Sequence, residues 1–433
     1  MEIIVIDPFK DTIPHFQEIG LITAYKSVIW DVQLYGLGAF DLVVPATNEN
    51  MTLLGLDRFL CRAEDVTTST STKYYNNAMV IRNVDLQWNP DEGYMLHVTG
   101  YSLKDVLNQR IIWDQITASN IRLPALISRV LLENVVDPLQ HITDIMLELD
   151  AEVDEQTDIE RQALDDYNAA VAQYGADSPE AKAAKEIYDE ELAKLEDLQR
   201  RLANEVENYE NQLGRPIPYT SAAIIDYPED VPVITDIQLH GETIGEWIAS
   251  ICEENRFGWE IQLTQTTYSV KFVIGEDKSD SVIFSQDNDN LINSISHWTS
   301  EGYHNSGQVG GEGEGTAQYR VNVGTRAGYA RYEMYVDGSG VSENAGEISR
   351  SKYLSMLKQY GVTQIIPYLK WKSVEAEIDP NGIFKVGTDF SLGDIVKVDT
   401  ERGLNADVRL VELIYADEEM GTSVTATFEE VED

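Results

Sequence analysis

Six histidines, at positions 15, 97, 141, 240, 297 and 304, are the first residues to test for chemistry. No two stand four apart, the spacing that sets two imidazoles on one helix face. Cys61 and Cys252 are distant and lie in unlike contexts, so neither a zinc signature nor a thiolate site is predicted, and both read as small buried hydrophobes. The Gly311–Gly315 run alternates glycine with glutamate and lacks the Gly-Lys-Ser/Thr ending of a phosphate cradle, so it reads as a linker. Gly100 and Ser102 resemble the start of a nucleophile elbow, but Lys104 stands where the second glycine belongs, and Ser102 is expected to cap a helix. Asp287, Asp289 and Asn290 cluster in the manner of calcium ligands, without the other positions of an EF-hand loop or its glycine. Two carboxylates suitably apart would suffice for glycoside hydrolysis, yet no pair among the 75 acidic residues is marked out by its surroundings. These residues predict no catalytic set, cofactor or metal, and the chain reads as a non-enzyme.

The elements that position such residues come from 433 residues, more than one hydrophobic core sustains, so about three domains are expected. With 43% hydrophobic and 25% charged residues, the chain can bury enough apolar surface to fold. Its 75 acidic against 32 basic residues leave a net charge of −43, which repels polyphosphate and argues against a surface gripping nucleic acid through clustered Lys and Arg. The start, MEIIVIDPFKD, lacks a basic segment followed by an apolar one, and no stretch of about 18 uncharged apolar residues occurs. Neither a signal peptide nor a membrane span is expected.

From Lys26 to Pro45 apolar residues alternate, with Val28, Trp30, Val32 and Leu34 on one parity and Phe40, Leu42 and Val44 after Gly36 and Gly38, which predicts a β-hairpin. Strand-like runs at Asn77–Val84 and Tyr94–Thr99 follow. Ser102, three positions before Asp105, predicts a short helix carrying Val106 and Leu107, and Pro124 opens another with Leu126, Ile127, Val130 and Leu131 inward. From Asp144 to Leu213 the composition is that of two long helices. Tyr188, Leu192, Leu195, Leu198, Leu202, Val206, Tyr209 and Leu213 recur every three or four residues, and Ile159, Ala163, Tyr167, Ala170 and Tyr174 do the same. A Gly175 stop, a Ser178 cap and a first-turn Pro179 predict that the arms fold back as an antiparallel coiled-coil hairpin.

Beyond it, Thr243 and Glu246 resemble a capping box ahead of Trp247, Ile248, Ile251 and Cys252, and strands are expected at Gly258–Leu263 and Tyr268–Ile274. Asn305–Thr316 reads as a Gly-rich linker, and a helix from Ser351 to Tyr360 is expected to stop at Gly361. Strands are then predicted at Ile365–Ala376, Ile395–Asp399, Val408–Ala416 and Ser423–Glu429. The predicted class is α+β, divided as β-rich 1–110, helical 111–143, an inserted helical hairpin 144–213, mixed 214–304 and β-rich 305–433.

Several short motifs, in order along nearly the whole chain, resemble those of the siphovirus tail-protein family of baseplate or tail-tip hubs, related to the hubs of contractile-tailed phages. They are Gly38, Phe40, Leu42 and Pro45; then Gly100, Leu103, Leu107 and Arg110; then Asn134–Pro138 and Gly214–Pro218. Asn305–Gly315, Arg331–Asp337 and the Leu392-Gly393-Asp394 triplet complete the series, and the long hairpin departs from the pattern as an insertion. The resemblance implies two antiparallel, barrel-like hub domains that form a homotrimeric ring continuing the tail-tube lumen at the distal end of a virion, on a chain made in the host cytoplasm. Its implied partners are the distal tail protein, the tape measure protein and a tail fibre or spike, with DNA passing the lumen without specific binding. The acidity would then line a channel that repels passing DNA.

A carbohydrate-binding adhesin is the alternative that 22 Tyr and 7 Trp would serve, although their strand and helix periodicity suits core and rim packing. A tail-associated peptidoglycan hydrolase is less expected, because only Glu-Glu-Val-Glu-Asp follows the last predicted strand. The hairpin is read as a docking rod for a neighbouring baseplate protein, with a tolerated surface insertion as the alternative.

Overall fold

The computed structural model describes residues 1–10, 12–229, 231–346, 348–369, 372–378, 382–400, 405–418 and 421–431. It divides into two compact units, Met1–Val130 with Tyr219–Asp433, and Leu131–Pro218.

The first unit opens with β1 (Ile3–Asp7), β2 (Gln17–Ile22), β3 (Ser27–Gln33) and β4 (Ala39–Pro45), then a short helix α1 (Asn48–Leu53) capped by the Thr47 hydroxyl. After it come β5 (Phe59–Arg62), β6 (Val66–Ser69), β7 (Thr72–Tyr75), β8 (Met79–Asn89) and β9 (Gly93–Ser102). The predicted alternation is present: Val28 and Trp30 of β3 and Phe40, Leu42 and Val44 of β4 are buried on one face. After β10 (Ile116–Arg122) the helix α2 (Leu123–Leu131) buries Leu126, Ile127, Val130 and Leu131, as its spacing requires.

The second unit is the hairpin of α3 (Pro138–Tyr174) and α4 (Pro179–Gln212), entered through a π-helical turn at Leu132–Val136. Gly175 takes φ +88 at the end of α3, and the Ser178 hydroxyl accepts from Ala181 N, so the turn forms as its residues predict. Tyr167 and Tyr188 stack with centroids 6.3 Å apart, and Leu149, Ala163, Ala181 and Leu195 are buried. Ile159, Tyr174, Val206 and Leu213, assigned to the seam by spacing, are exposed instead, while Gln156 crosses it to bond the Glu191 carboxylate and carbonyl. Over this length an α-helix drifts out of a strict heptad register, which rotates some stripe positions off the seam.

Returning to the first unit, the chain forms β11 (Thr220–Ile225), β12 (Val233–Leu239), α5 (Ile244–Glu254), β13 (Gly258–Thr264), β14 (Tyr268–Val273), β15 (Ile283–Ser285) and β16 (Leu291–Trp298). Thr243 sits at the N-cap of α5 but makes no capping bond; Asn108 Oδ1 accepts from Glu246 N in its place. The expected linker at Asn305–Thr316 contains a strand, β17 (Ser306–Gly310), flanked by β18 (Arg320–Val323) and β19 (Glu333–Asp337). Its glycines serve close packing, since a Cβ at Gly311 would lie 2.2 Å from the Tyr353 hydroxyl. The next helix, α6 (Arg350–Ile365), runs through Gly361, because that residue gives room to Val309, 2.2 Å from where its Cβ would stand. A 3₁₀ turn at Ile366–Tyr368 replaces the start of the strand expected from Ile365; residues 370–371 of that expectation lie outside the described residues, and β20 covers Lys372–Ile378. The last strands are β21 (Ile395–Asp399), β22 (Asn405–Glu418) and β23 (Gly421–Glu430).

The class is α+β with mostly antiparallel sheets. A 13-stranded sheet runs β16-β20-β23-β22-β3-β4-β9-β8-β5-β1-β2, with β21 and β15 joined at β22, so N-terminal and C-terminal strands share one sheet through the β3–β22 pair. Among the described residues no sheet closes on itself. Two cores lie along it, one around Trp30, Phe40, Leu42 and Ile81 and one around Phe284, Phe390, Val396 and Phe428. A five-stranded sheet, β11-β14-β13-β7-β6, lies in the same unit.

Candidate functional site

Side chains of a strand alternate between faces, so the face of the long sheet opposite its cores can be read from register. One cross-strand row is Ile295, Glu375, Thr427, Glu412 and Gln33, and the next is Asn293, Glu377, Thr425, Ile414 and Asp31. A third passes from Ser423 and Ala416 through Ile29 and Asp41 to Thr99 and Asn83. Carboxylates, hydroxyls and amides dominate these rows, and none contains Lys or Arg. The Gln33 amide donates to Asp31 Oδ2 and to Glu412 Oε1, 2.9 Å each, and the Thr427 hydroxyl donates to Glu412. Burial and the adjacent Glu412 push the Asp31 carboxyl up to about 7. His97 Nε2 lies 2.9 Å from both Asp41 oxygens.

Several of the motif residues lie at or beside the β3–β4 hairpin. Gly38 has φ +67 and sits where a Cβ would be 2.5 Å from the Asp31 carbonyl. Phe40 pairs across to Gly100, whose missing Cβ leaves space for the ring and for the Val80 carbonyl, 2.8 and 2.0 Å away. Leu42, Leu103 and Leu107 are buried, Leu103 O accepts from the Tyr268 hydroxyl at 2.7 Å, and the Arg110 carbonyl accepts from Ile244 N. Pro45 ends β4 at the surface. From the other end of the chain, Leu392 packs beside Leu34, and Gly393 (φ +95) approaches it, its would-be Cβ 3.3 Å from Leu34 Cδ1. Asp394, 3% exposed, accepts from Glu276 N, Ser391 N and Lys278 Nζ. Arg331 stands apart, on the segment entering β19, where it pairs with Glu333.

Lys104, weighed above only as a missing glycine, is the group that sequence reasoning underrated. It is buried, and its ammonium donates to the carbonyls of Gln33 and Gly36 at 2.7 Å each and more distantly to Leu34, with the Trp259 ring 5.0 Å away. Burial pulls its pKa down to about 7. Three donors meeting three carbonyls fix the hairpin turn, a structural task. Ser102 is at the N-cap position of a 3₁₀ helix (Leu103–Gln109) without a side-chain capping bond, and its buried Oγ has no partner among the described residues, so no base activates it.

In a cleft of about 1090 Å³, Arg62 pairs with Asp65 and Glu64, Lys271 with Glu260, and Asp417 with the N-terminal amine. Asn290 spends its amide on Ser285 N and the Ile283 carbonyl, and among the described residues no three His, Cys, Asp or Glu side chains converge as metal ligands. Cys61 and Cys252 are buried and unpaired, with thiols raised by burial. No helix of the described residues is long and apolar enough to cross a membrane.

The sequence model of the family described as "Siphovirus ReqiPepy6 Gp37-like protein" matches residues 5–161 and 196–428. No curated protein matches the chain. Among solved structures, it is similar to the 43 kDa tail protein of prophage MuSo2 from Shewanella oneidensis, at 11% identity and a TM-score of 0.50, over 99% of this chain and 98% of that one. A tail protein from Neisseria meningitidis MC58 (11% identity, TM-score 0.46, 99% and 96% covered) and the prophage tail protein gp18 from Listeria monocytogenes EGD-e (9%, 0.45, 100% and 96%) are weaker likenesses. At such identities the first likeness is one of fold. The expected kinship with siphovirus tail proteins is borne out by the family match.

Proposed function

Because the chain belongs to the siphovirus ReqiPepy6 Gp37-like protein family, we propose that it is a structural hub subunit of a phage tail tip, joining the tail tube to a fibre or spike. The observation that carries this reading is the carboxylate, hydroxyl and amide face that crosses the long sheet without Lys or Arg in its three rows. The three rows repel phosphate, and the cations further along the same face, Arg409 opposite Glu429 and Lys397 opposite Asp407, already face carboxylates, which suits a channel past which DNA slides. The two halves of the sheet, each wrapped on its own core, are the barrel-like hub units of this reading. Three copies would close them into a ring at the distal end of the virion, with the distal tail protein, tape measure protein and fibre or spike as neighbours. The chain works as a structural part and not as a catalyst.

Light scattering on the purified 48.7 kDa chain is expected to give a trimer at virion-like local concentration. Virions carrying Asp41→Lys, Glu375→Lys and Glu377→Lys are expected to assemble and to eject DNA more slowly. Unchanged ejection in assembled virions would discard the channel while leaving a hub role.

A further inference from the structure

The segment Arg320–Tyr335, RVNVGTRAGYARYEMY, carries three arginines and one glutamate in a chain where acids outnumber bases 75 to 32. Between β18 and β19 every residue from Gly324 to Ala330 is exposed. Tyr329 is fully solvent-exposed (106%), Tyr335 is 56% exposed, and Arg320 and Arg326 are also exposed. The loop is nevertheless braced. Asn305 Oδ1 accepts from Tyr332 N, its amide donates to the Ala330 carbonyl at 2.7 Å, Tyr303 meets the Tyr332 ring edge-on at 5.3 Å, and Arg331 donates to the Arg326 carbonyl. None of this serves the local core, which consists of Val309, Val323, Val336 and the inner face of α6.

We propose that this Arg- and Tyr-bearing loop is a docking element for an acidic surface of a second copy of the chain, distinct from the sheet face read above as the channel wall. The proposal rests on the ring reading above. Tyr and Arg are the residue types that anchor interfaces, and bracing in advance lowers the ordering entropy of association. Charge complementarity selects the occupant: the segment's one glutamate is spent on Arg331, which leaves a net positive charge on Arg320 at the start of β18 and Arg326 in the loop, while the chain as a whole carries −43. A patch of one sign and a surface of the other on the same chain is also what a head-to-tail contact in a closed ring requires. Nucleic acid is the poorer fit, because three arginines on so acidic a body meet strong repulsion at longer range.

The test uses the full chain with a photo-crosslinking benzoylphenylalanine at position 329, alongside the double substitution Arg326→Glu/Tyr329→Ala. Irradiation is expected to yield a covalent two-copy species whose crosslinked peptides both come from this chain. The double variant, with unchanged far-UV circular dichroism, is expected to associate at least tenfold more weakly. If oligomers form but neither crosslink nor respond to the substitutions, the docking role is overturned and the ring reading stands. If the chain stays monomeric at every concentration, both fall together. Crosslinking to added DNA, or to host cell-wall glycan, in place of a second copy overturns the proposal.

Discussion

Gly100 and Asp31 show how individual side chains set the limits of this fold. Adding a methyl at Gly100 places it 2.0 Å from the Val80 carbonyl, so Gly100→Ala is expected to cost about 1–3 kcal/mol in urea unfolding, well above an ordinary surface change. Asp31 is raised from its ordinary value to about 7, so between about pH 4 and about pH 7 the folded chain keeps a proton that the unfolded chain has released. Stability from this group therefore falls as pH rises through that window. Asp31→Asn is expected to flatten the stability curve there and to leave the protein more stable than its parent at about pH 8; a urea-midpoint series that merely shifts in parallel would refute the assignment. Lys104 works in the opposite sense, since its lowered value makes stability rise as pH climbs from about 7 towards the ordinary lysine range.

At the level of elements, Gly361 inverts a familiar rule. An alanine in mid-helix normally gains about 1 kcal/mol over glycine, but here the new Cβ would meet buried Val309, and Gly361→Ala is expected to lower the thermal midpoint. This is also where the sequence misleads. A glycine's spacing looks the same whether it ends a helix or admits a neighbour, and only the Val309 side chain, some fifty residues earlier, decides between them. Ser306–Gly310 was hidden for the same reason, its glycines suiting a linker as well as a tightly packed strand. By contrast the Val28/Trp30 alternation and the Gly175-Ser178-Pro179 turn are local signals with local outcomes, and both were legible. The polar sheet face was not, since its rows unite residues from β3, β4, β8, β9, β16, β20, β22 and β23 through register alone.

For the molecule as a whole, the two compact units predict independent folding. Deleting Glu148–Asn211 is expected to remove most of the helical dichroism while the remaining protein keeps a cooperative thermal transition; loss of that transition would show that the hairpin is needed for the β-rich unit to fold. That β-rich unit is itself completed late. Gln33 on β3 meets Glu412 on β22, 379 residues further along the chain. At about 5–20 residues per second, a ribosome delivers that partner roughly 20–75 s after the first hairpin is made. Until then the nascent chain presents β3 as an unpaired edge, a template on which neighbouring nascent chains can add a strand before the proper one arrives. Late in translation, the yield of native protein should thus be set less by stability than by how well that waiting edge is shielded.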